Sequence, residues 1–296
     1  MKRTLGVNTW VWTSPLNDVS LREIAQKASW MGFGAIELPV ESPGDWDAAR
    51  AADVMAEFSL IPYVVGAMGG GRDLVLAPAA RVAATQNYLR ECIRVASVLG
   101  AGLVAGPFYA ATGRTWRMSK PDRDEVIREL RESLKPLVDE AAAANITLGI
   151  EPLNRYETSI INTVEQALDV LGPLLGPGLG LVLDTYHLNI EEKRPNAAVW
   201  AAGEHLTHVQ VCGNDRGAVG DDHTDWEGLL DALDGVNYAG ALNLESFTGE
   251  NDTIATAASI WRPLADSQDA LAQRSYDFLS TLQATRELDR DGSGSQ

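Results

Sequence analysis

Four oxygen-bearing side chains lie at or near the ends of four successive apolar segments in the second half of the chain. Glu151 follows ITLGI, Asp184 ends LGLVLD, Gln210 lies in LTHVQVC, and Glu245 follows GALNL. Three carboxylates that meet at one place repel one another unless a cation lies between them, and a divalent ion is the simplest such cation. We therefore predict that these four residues bind one divalent metal ion.

The all-oxygen ligand set indicates both the metal and the chemistry. Carboxylate and amide oxygens suit a hard cation, so we predict Mn²⁺, with Mg²⁺ or Co²⁺ as alternatives. A metal beside a carbonyl group stabilises the negative charge that forms when a neighbouring carbon loses a proton. A carboxylate on each face of a substrate would let one remove the proton and the other return it. Return of the proton from the opposite face inverts the carbon, return to the adjacent carbon shifts the carbonyl group, and a leaving group beta to the carbanion gives elimination.

The elements that must position these residues are short apolar segments that alternate with longer amphipathic ones. In the stretch 124–144, apolar residues recur at helical spacing among charges. Eight strands joined by helical crossovers predict a parallel sheet, with a doubly wound open sheet as the alternative. We predict a single (β/α)₈ barrel, whose catalytic residues project from the carboxyl ends of the strands. The eight predicted strands begin near Leu5, Gly34, Ile61, Gly102, Ile146, Leu179, Leu206 and Gly240.

The domain organisation follows from the same pattern. No interdomain linker interrupts the alternation, so residues 1–286 are predicted to form the barrel. The last segment, 287–296, is polar and ends in DGSGSQ. This composition is typical of a disordered tail.

The charge balance excludes two classes of partner. The chain has 24 Lys and Arg residues against 41 Asp and Glu, a net charge of −17. Binding of nucleic acid or of an anionic membrane normally needs a basic surface, so neither is expected. The N-terminus lacks the apolar segment of a signal peptide, and no apolar run approaches the roughly 18 residues that span a bilayer. We predict a cytoplasmic protein.

Four longer motifs carry a family resemblance. EPLNRYETSIINT, LVLDTYHLNIEE, HVQVCGNDRG and LNLESF, with their spacing, resemble the xylose-isomerase-like sugar isomerase/epimerase superfamily, and most of all its D-tagatose/D-allulose 3-epimerase branch. GVNTWVW and GPFYAATGRTW extend the resemblance over nearly the whole chain. It implies a metal-dependent ketose 3-epimerase, or a related sugar isomerase, that acts on a small keto-sugar through a cis-enediolate. It also implies a homo-oligomer, either a dimer or a tetramer.

The same resemblance assigns roles to individual residues. It implies that Glu151, Asp184 and Glu245 are metal ligands, and that the two glutamates double as the acid–base pair. Glu157 and His187 are implied to bind the carbonyl end of the sugar, and Arg216 is implied to hold substrate oxygens. One metal ligand departs from the branch, which has histidine where this chain has Gln210. Members that resemble hydroxypyruvate isomerase have glutamine at this place, so metal binding is still expected.

Four further residues are candidates for the site. Tyr109 and Trp116, in the fourth βα loop, are predicted to line a sugar pocket. His208 shares a strand face with Gln210, and either supports the metal site or is a packed core histidine. His223, in the loop GDDHTDW, is a possible catalytic residue.

Several other functions are compatible with these residues. The strongest alternative is a lyase of the C-glycoside deglycosidase type, which acts on 3-keto-glycosides with a small second subunit, and Gln210 and His223 are compatible with it. A hydroxypyruvate-type isomerase is a further alternative. An endonuclease IV-like enzyme is disfavoured by the net charge and by the few histidines. A non-catalytic binding module on a reused barrel is disfavoured by the pair Glu151 and Glu245.

Overall fold

The computed structural model describes residues 1–293, and in this part of the chain eight parallel strands form a closed barrel. The strands hydrogen-bond in sequence order, and the eighth pairs with the first. The predicted single (β/α)₈ barrel is therefore confirmed, and the open sheet is excluded. The strands are β1 Leu5–Asn8, β2 Ala35–Val40, β3 Ile61–Gly66, β4 Leu103–Gly106, β5 Thr147–Ile150, β6 Leu179–Asp184, β7 Leu206–Val211 and β8 Leu242–Leu244.

Ten α-helices surround the barrel within the described residues, and they cover its strands on the outside. None of them is long and apolar enough to cross a membrane. The helices are α1 Asp18–Met31, α2 Ala48–Phe58, α3 Ala79–Leu99, α4 Lys120–Ala143, α5 Val164–Leu171, α6 Thr185–Glu191, α7 Pro195–Ala202, α8 Trp226–Gly235, α9 Asp252–Ala257 and α10 Gln268–Ser293.

Helix α4 begins four residues before the stretch 124–144 that apolar spacing predicts. The cause is a capping box, in which Ser119 accepts a hydrogen bond from the backbone N–H of Asp122 and the Asp122 side chain accepts one from the backbone N–H of Ser119. These contacts pair two backbone N–H groups, one of them in the first turn of the helix. The first turn is thus stabilised by polar residues that a hydrophobic pattern does not detect.

The register of the strands brings polar residues to the same level of the barrel. Asn8 pairs with Glu37 between β1 and β2. Asp184 lies beside Gln210, which lies beside Asn243, across β6, β7 and β8. All five side chains are almost fully buried. The barrel interior near the carboxyl ends of the strands is therefore polar, whereas the layer between strands and helices is a continuous apolar core.

The C-terminal segment differs from the prediction. Helix α10 continues to Ser293, so the predicted boundary at residue 286 falls inside a helix, and residues 294–296 lie outside the described part. Arg286 and Arg290, on the last turns, bind carboxylates of α8, among them Asp234. These ion pairs hold the polar end of the helix against the barrel.

Asp234 joins three parts of the chain, and its loss is expected to destabilise the fold. Its carboxylate binds Arg286, Arg290 and Arg3, and the Arg3 side chain is only 1% exposed. Asp234→Asn would leave the buried Arg3 without its charged partner, at a cost of about 2–4 kcal/mol in the free energy of unfolding. Glu227→Gln removes an exposed partner of Arg286 and should cost less than about 1 kcal/mol. Urea unfolding of the two variants measures both effects.

The destabilisation should depend on pH in a defined direction. Burial alone would raise the pKa of Asp234, but hydrogen bonds from Arg290 and Arg3 outweigh burial and lower it. A carboxyl group with a depressed pKa in the folded state contributes stability above its unfolded pKa of about 3.9. The difference between wild type and Asp234→Asn should thus be constant at neutral pH and shrink below about pH 4. A difference that grows on acidification would contradict this assignment.

Candidate active site

Three carboxylates and one arginine meet at the carboxyl end of the barrel. Glu151 follows β5, Asp184 ends β6, and Glu245 follows β8, and all three side chains are buried. Arg216, from the loop after β7, donates from Nη1 to Asp184 Oδ2 and, over 2.9 Å, to Glu245 Oε2. One guanidinium therefore balances part of the negative charge of the group.

The backbone of Arg216 is held in an uncommon conformation. Its φ is +69°, in the left-handed region that residues other than glycine rarely adopt. The Arg216 N–H donates to Gly213 O over 2.9 Å, and Ser246 Oγ donates to Arg216 O over 2.6 Å. The guanidinium lies over the Tyr186 ring, 4.1 Å from its centroid. Such strain persists where the surroundings enforce it, commonly at functional sites, and here it directs the guanidinium into the barrel mouth.

His187, in the first turn of α6, connects this group to the loop after β5. Its Nδ1 accepts a hydrogen bond from the backbone N–H of Asn154 over 3.0 Å. Its Nε2 therefore faces Glu151 Oε1 at 3.4 Å and Arg216 Nη2 at 3.1 Å. Burial, and then the Arg216 charge, lower the pKa of His187. Asn154 Nδ2 also donates to Glu157 Oε1 over 2.7 Å, which brings Glu157 to the same site.

Gln210 uses its amide nitrogen to bind two carboxylates. Nε2 donates to Glu245 Oε1 over 2.8 Å and to Glu37 Oε2 over 3.2 Å. Its Oε1 is buried, and no hydrogen-bond partner for it exists among the described residues. The same holds for Glu151 Oε1. Buried polar atoms are almost always paired, so these two oxygens are free to bind a ligand.

The buried carboxyl groups titrate in opposite directions. Burial is the largest cause that raises the pKa of Glu151 and of Glu245 well above the usual value, and neighbouring carboxylates raise both further. Burial would also raise the pKa of Asp184, but Arg216 and His187 outweigh it and lower the value. Asp184 therefore loses its proton more readily than either glutamate.

The donor set fits a divalent cation. The ligand atoms of Glu151, Asp184 and His187 lie within 4.8 Å of one another. Two unpaired buried oxygens, one on Glu151 and one on Gln210, belong to the same group. Three carboxylates with one arginine leave excess negative charge that a divalent ion would neutralise. Glu151, Asp184, Gln210 and Glu245 are the predicted ligands, and His187 lies beside Glu151 and Asp184 in the same group.

The two aromatic candidates from the fourth βα loop have different contacts. Tyr109 is fully buried, and its hydroxyl donates to the backbone oxygen of Glu151 over 3.0 Å. This hydrogen bond holds the backbone of Glu151. Tyr109 was predicted to line a sugar pocket, and the structure places it in the core instead. The backbone N–H of Trp116 donates to Ser159 Oγ over 2.8 Å, and the centroid of the Trp116 ring lies 5.0 Å from the Arg114 guanidinium carbon. These contacts tie the fourth loop to the fifth, and sugar binding by Trp116 stays a prediction.

His208 and His223, the two histidines named as further candidates for the site, have different surroundings. His208 is fully buried, and its Nε2 lies 2.5 Å from Glu37 Oε1. Because Glu37 also binds Gln210, His208 supports the site indirectly. His223 is exposed, and its Nε2 lies 2.9 Å from Asn189 Oδ1. No contact in the described chain joins His223 to the carboxylates, so the structure does not bring it into the group.

Sequence reasoning missed three residues of the site. Glu37 is the single charged residue in the buried strand AIELPV, and this isolation was a usable signal, since a lone buried charge needs a partner. Asn154 lies within the motif EPLNRYET and bridges His187 and Glu157. Ser246 gave no signal, because its bond to a distant backbone oxygen depends on the path of a loop.

Comparisons with known proteins agree with this geometry. A model of the xylose isomerase-like TIM barrel family matches residues 25–279. The chain is 30% identical to the L-ribulose 3-epimerase of Mesorhizobium japonicum, over 93% of this chain and 92% of the relative. It is 29% identical to the L-ribulose 3-epimerase of Methylomonas sp. (strain DH-1), over 93% of this chain and 96% of the relative.

A solved structure of a relative has the same fold. The D-allulose 3-epimerase of Methylomonas sp. in complex with D-allulose superposes with a TM-score of 0.85 at 28% identity, over 95% of this chain and 97% of that one. The chain therefore belongs to the xylose isomerase-like TIM barrel family, in the branch that contains the ketose 3-epimerases.

Proposed function

We propose that the protein is a divalent-metal-dependent ketose 3-epimerase that acts on a small, non-phosphorylated keto-sugar. The observation that carries the proposal is the convergence of Glu151, Asp184, Gln210 and Glu245 with Arg216 at one buried end of the barrel. The relatives that cover nearly the whole chain are named as 3-epimerases, which supports inversion at C3 over isomerisation.

The substrate would be held by polar residues at the two sides of the carboxylate group. Arg216 presents a guanidinium, and His187 presents Nε2, next to Glu151. Both donate to oxygen, so they would bind the substrate carbonyl and stabilise the negative charge of an enediolate as it forms. Glu157, held by Asn154, would accept hydrogen bonds from sugar hydroxyls. When bound, a divalent ion supplies further positive charge at the same oxygens.

The proton would move between C3 of the sugar and the two glutamates. Glu151 projects from β5 and Glu245 from β8, on different sides of the barrel mouth. One glutamate removes the C3 proton, and the other delivers a proton to the opposite face of the cis-enediolate, so the configuration at C3 inverts. The raised pKa values of both glutamates suit this exchange, because each must be able to hold a proton.

We further propose the metal, the oligomeric state and the cellular location of the protein. We expect Mn²⁺ as the metal, because the set contains three carboxylates and one amide oxygen and no thiolate. We also propose a homo-oligomer, as the resemblance to the 3-epimerase branch implies. A cytoplasmic location remains a prediction from composition. The lyase alternative loses one of its two supports, since His223 lies outside the carboxylate group.

Exchange of the C3 proton with solvent tests the proposed function. The Mn²⁺-loaded protein is incubated with D-allulose, D-fructose, D-tagatose and L-ribulose in D₂O, and NMR locates the deuterium. We expect deuterium at C3 of the accepted substrate and of its epimer. Deuterium at C1 without C3 would identify an aldose–ketose isomerase, and no deuterium at C3 of any ketose would reject the 3-epimerase proposal. The Glu151→Gln/Glu245→Gln double variant is the control for non-enzymatic exchange.

A further inference from the structure

Glu37 is a buried carboxylate in the middle of β2 that the proposed mechanism does not use. The side chain is fully buried. Oε2 accepts hydrogen bonds from Asn8 Nδ2 over 2.7 Å and from Gln210 Nε2 over 3.2 Å, and Oε1 lies 2.5 Å from His208 Nε2. Within residues 1–293, its one ion-pair partner is this histidine. Burying a carboxylate at such a place costs free energy, so there must be a reason why the barrel has one here.

The reason lies in the two ways in which the Gln210 amide can be oriented. An amide nitrogen has two hydrogens to donate, whereas the amide oxygen only accepts. Glu37 and Glu245 each present a carboxylate oxygen to Gln210, and carboxylate oxygens also only accept. With both glutamates in place, the nitrogen must face them and Oε1 must face away. The turned amide would set oxygen against two carboxylates, which repel it.

We infer that Glu37 is a positioning residue, which orients the Gln210 amide so that its oxygen is presented to the metal. This inference rests on the proposed metal-dependent function. Glu245 alone would orient the Gln210 amide only weakly, because it is itself an expected metal ligand and already binds Arg216. Glu37 is not an expected ligand, and its hydrogen-bond partners among the described residues are Asn8, Gln210 and His208, so a bound ion would not draw its carboxylate away from Gln210. A glutamine can thus take the place of a histidine ligand.

His208 and Asn8 hold the two oxygens of Glu37. Asn8 donates to Oε2, the oxygen that also meets Gln210, and His208 faces the other oxygen. The His208 ring packs on Tyr63, with ring centroids 4.7 Å apart. The carboxylate is therefore fixed on both sides by neighbours that do not touch the expected metal ligands Glu151 and Asp184.

Titration of the metal-free protein with Mn²⁺, followed by EPR of the free ion, tests this role without any activity assay. Glu37→Gln provides an amide in place of the carboxylate, which no longer forces the Gln210 nitrogen to face it. We expect weaker Mn²⁺ binding by about 10–100-fold, the usual cost of losing a partner of a metal ligand. Glu41→Gln is the matched control, since Glu41 follows the same strand but binds Trp10 and Ser14. It should bind Mn²⁺ like the wild type.

Two further variants separate orientation from charge and from folding. Glu37→Asp keeps the negative charge, but its shorter side chain does not reach Gln210, so it should also weaken Mn²⁺ binding. This variant replaces Glu37→Gln in the titration if Glu37→Gln does not fold. In a Gln210→Ala background, Glu37→Gln should cost nothing more, because its effect passes through Gln210. An equal loss in both backgrounds, or wild-type affinity in Glu37→Gln, would overturn the inference.

The outcomes also distinguish this inference from the proposed function. Tight Mn²⁺ binding by the wild type without C3 exchange would reject the 3-epimerase proposal and leave the role of Glu37 standing. C3 exchange with unchanged Mn²⁺ affinity in Glu37→Gln would reject the role of Glu37 alone. A wild type that binds no divalent ion would reject both.

Discussion

Glu151→Gln and Glu245→Gln are each expected to lower kcat for epimerisation by at least about 10²–10⁴-fold, the usual contribution of a general acid or base. The amide is nearly the same size as the carboxyl group, so the packing around these buried side chains is kept. It still offers one oxygen to a metal, but it can neither accept nor return a proton. Because the two glutamates act on opposite faces of C3, the loss of either should stop inversion.

The single variants carry a sharper signature than loss of activity. Each keeps one glutamate, which can still remove and return a proton on its own face. In D₂O, one variant should therefore exchange the C3 proton of one epimer without forming the other, and the second variant should do so for the opposite epimer. Circular dichroism checks the fold, and Mn²⁺ titration checks the metal. If either variant kept kcat within about tenfold of the wild type, that residue would not be a proton-transfer group.

The barrel could be predicted because its signals are local. Each strand is a short apolar segment, and each crossover is amphipathic, so the count of eight needed no knowledge of distant contacts. Helix α4 begins before the stretch with helical spacing, and α10 runs past the predicted boundary at residue 286, for a related reason. Polar contacts determine both, namely the Ser119–Asp122 capping box and the ion pairs of Arg286 and Arg290 with α8.

The convergence of Glu151, Asp184, Gln210 and Glu245 could also be predicted, because the topology alone brings the carboxyl ends of parallel strands together. The role of Glu37 could not be predicted. Its partner His208 is 171 positions away in the chain, on a strand that does not pair with β2. Contacts across the inside of a barrel depend on its closure and its register, and periodicity reports neither of them.

The surroundings of the two candidate histidines could not be predicted from the sequence either. His208 and His223 lie 15 positions apart in one βα segment, the first in a predicted strand and the second in a loop, and neither position alone predicts which side chains the histidine contacts. The difference arises from the fold, which buries His208 against Glu37 and leaves His223 exposed beside Asn189. A histidine in a loop near an active site is therefore weaker evidence for catalysis than a polar residue at the end of a strand.

Asp184→Asn is expected to weaken Mn²⁺ binding by more than the about 10–100-fold that outer partners of a metal ligand contribute. Asp184 Oδ1 is already occupied by the backbone N–H of Tyr186 over 2.8 Å, which fixes the side chain and directs Oδ2 into the site. Asparagine keeps this size but loses the charge, and Asp184 is the one carboxyl of the three whose pKa is lowered. The charged form is therefore favoured more strongly at Asp184 than at either glutamate.

Asp73→Asn provides a matched control for this experiment. Asp73 is likewise a buried aspartate bound to an arginine, over 2.8 Å to Arg114 Nη1, but it lies in the loop after β3 and contacts none of the expected metal ligands. Titration with Mn²⁺ should give wild-type affinity for Asp73→Asn and strongly reduced affinity for Asp184→Asn. Since both changes remove one buried charge opposite an arginine, a general electrostatic effect would weaken the two variants alike. Binding of the ion at Asp184 predicts a loss confined to Asp184→Asn, so equal affinities would exclude this end of the barrel as the metal site.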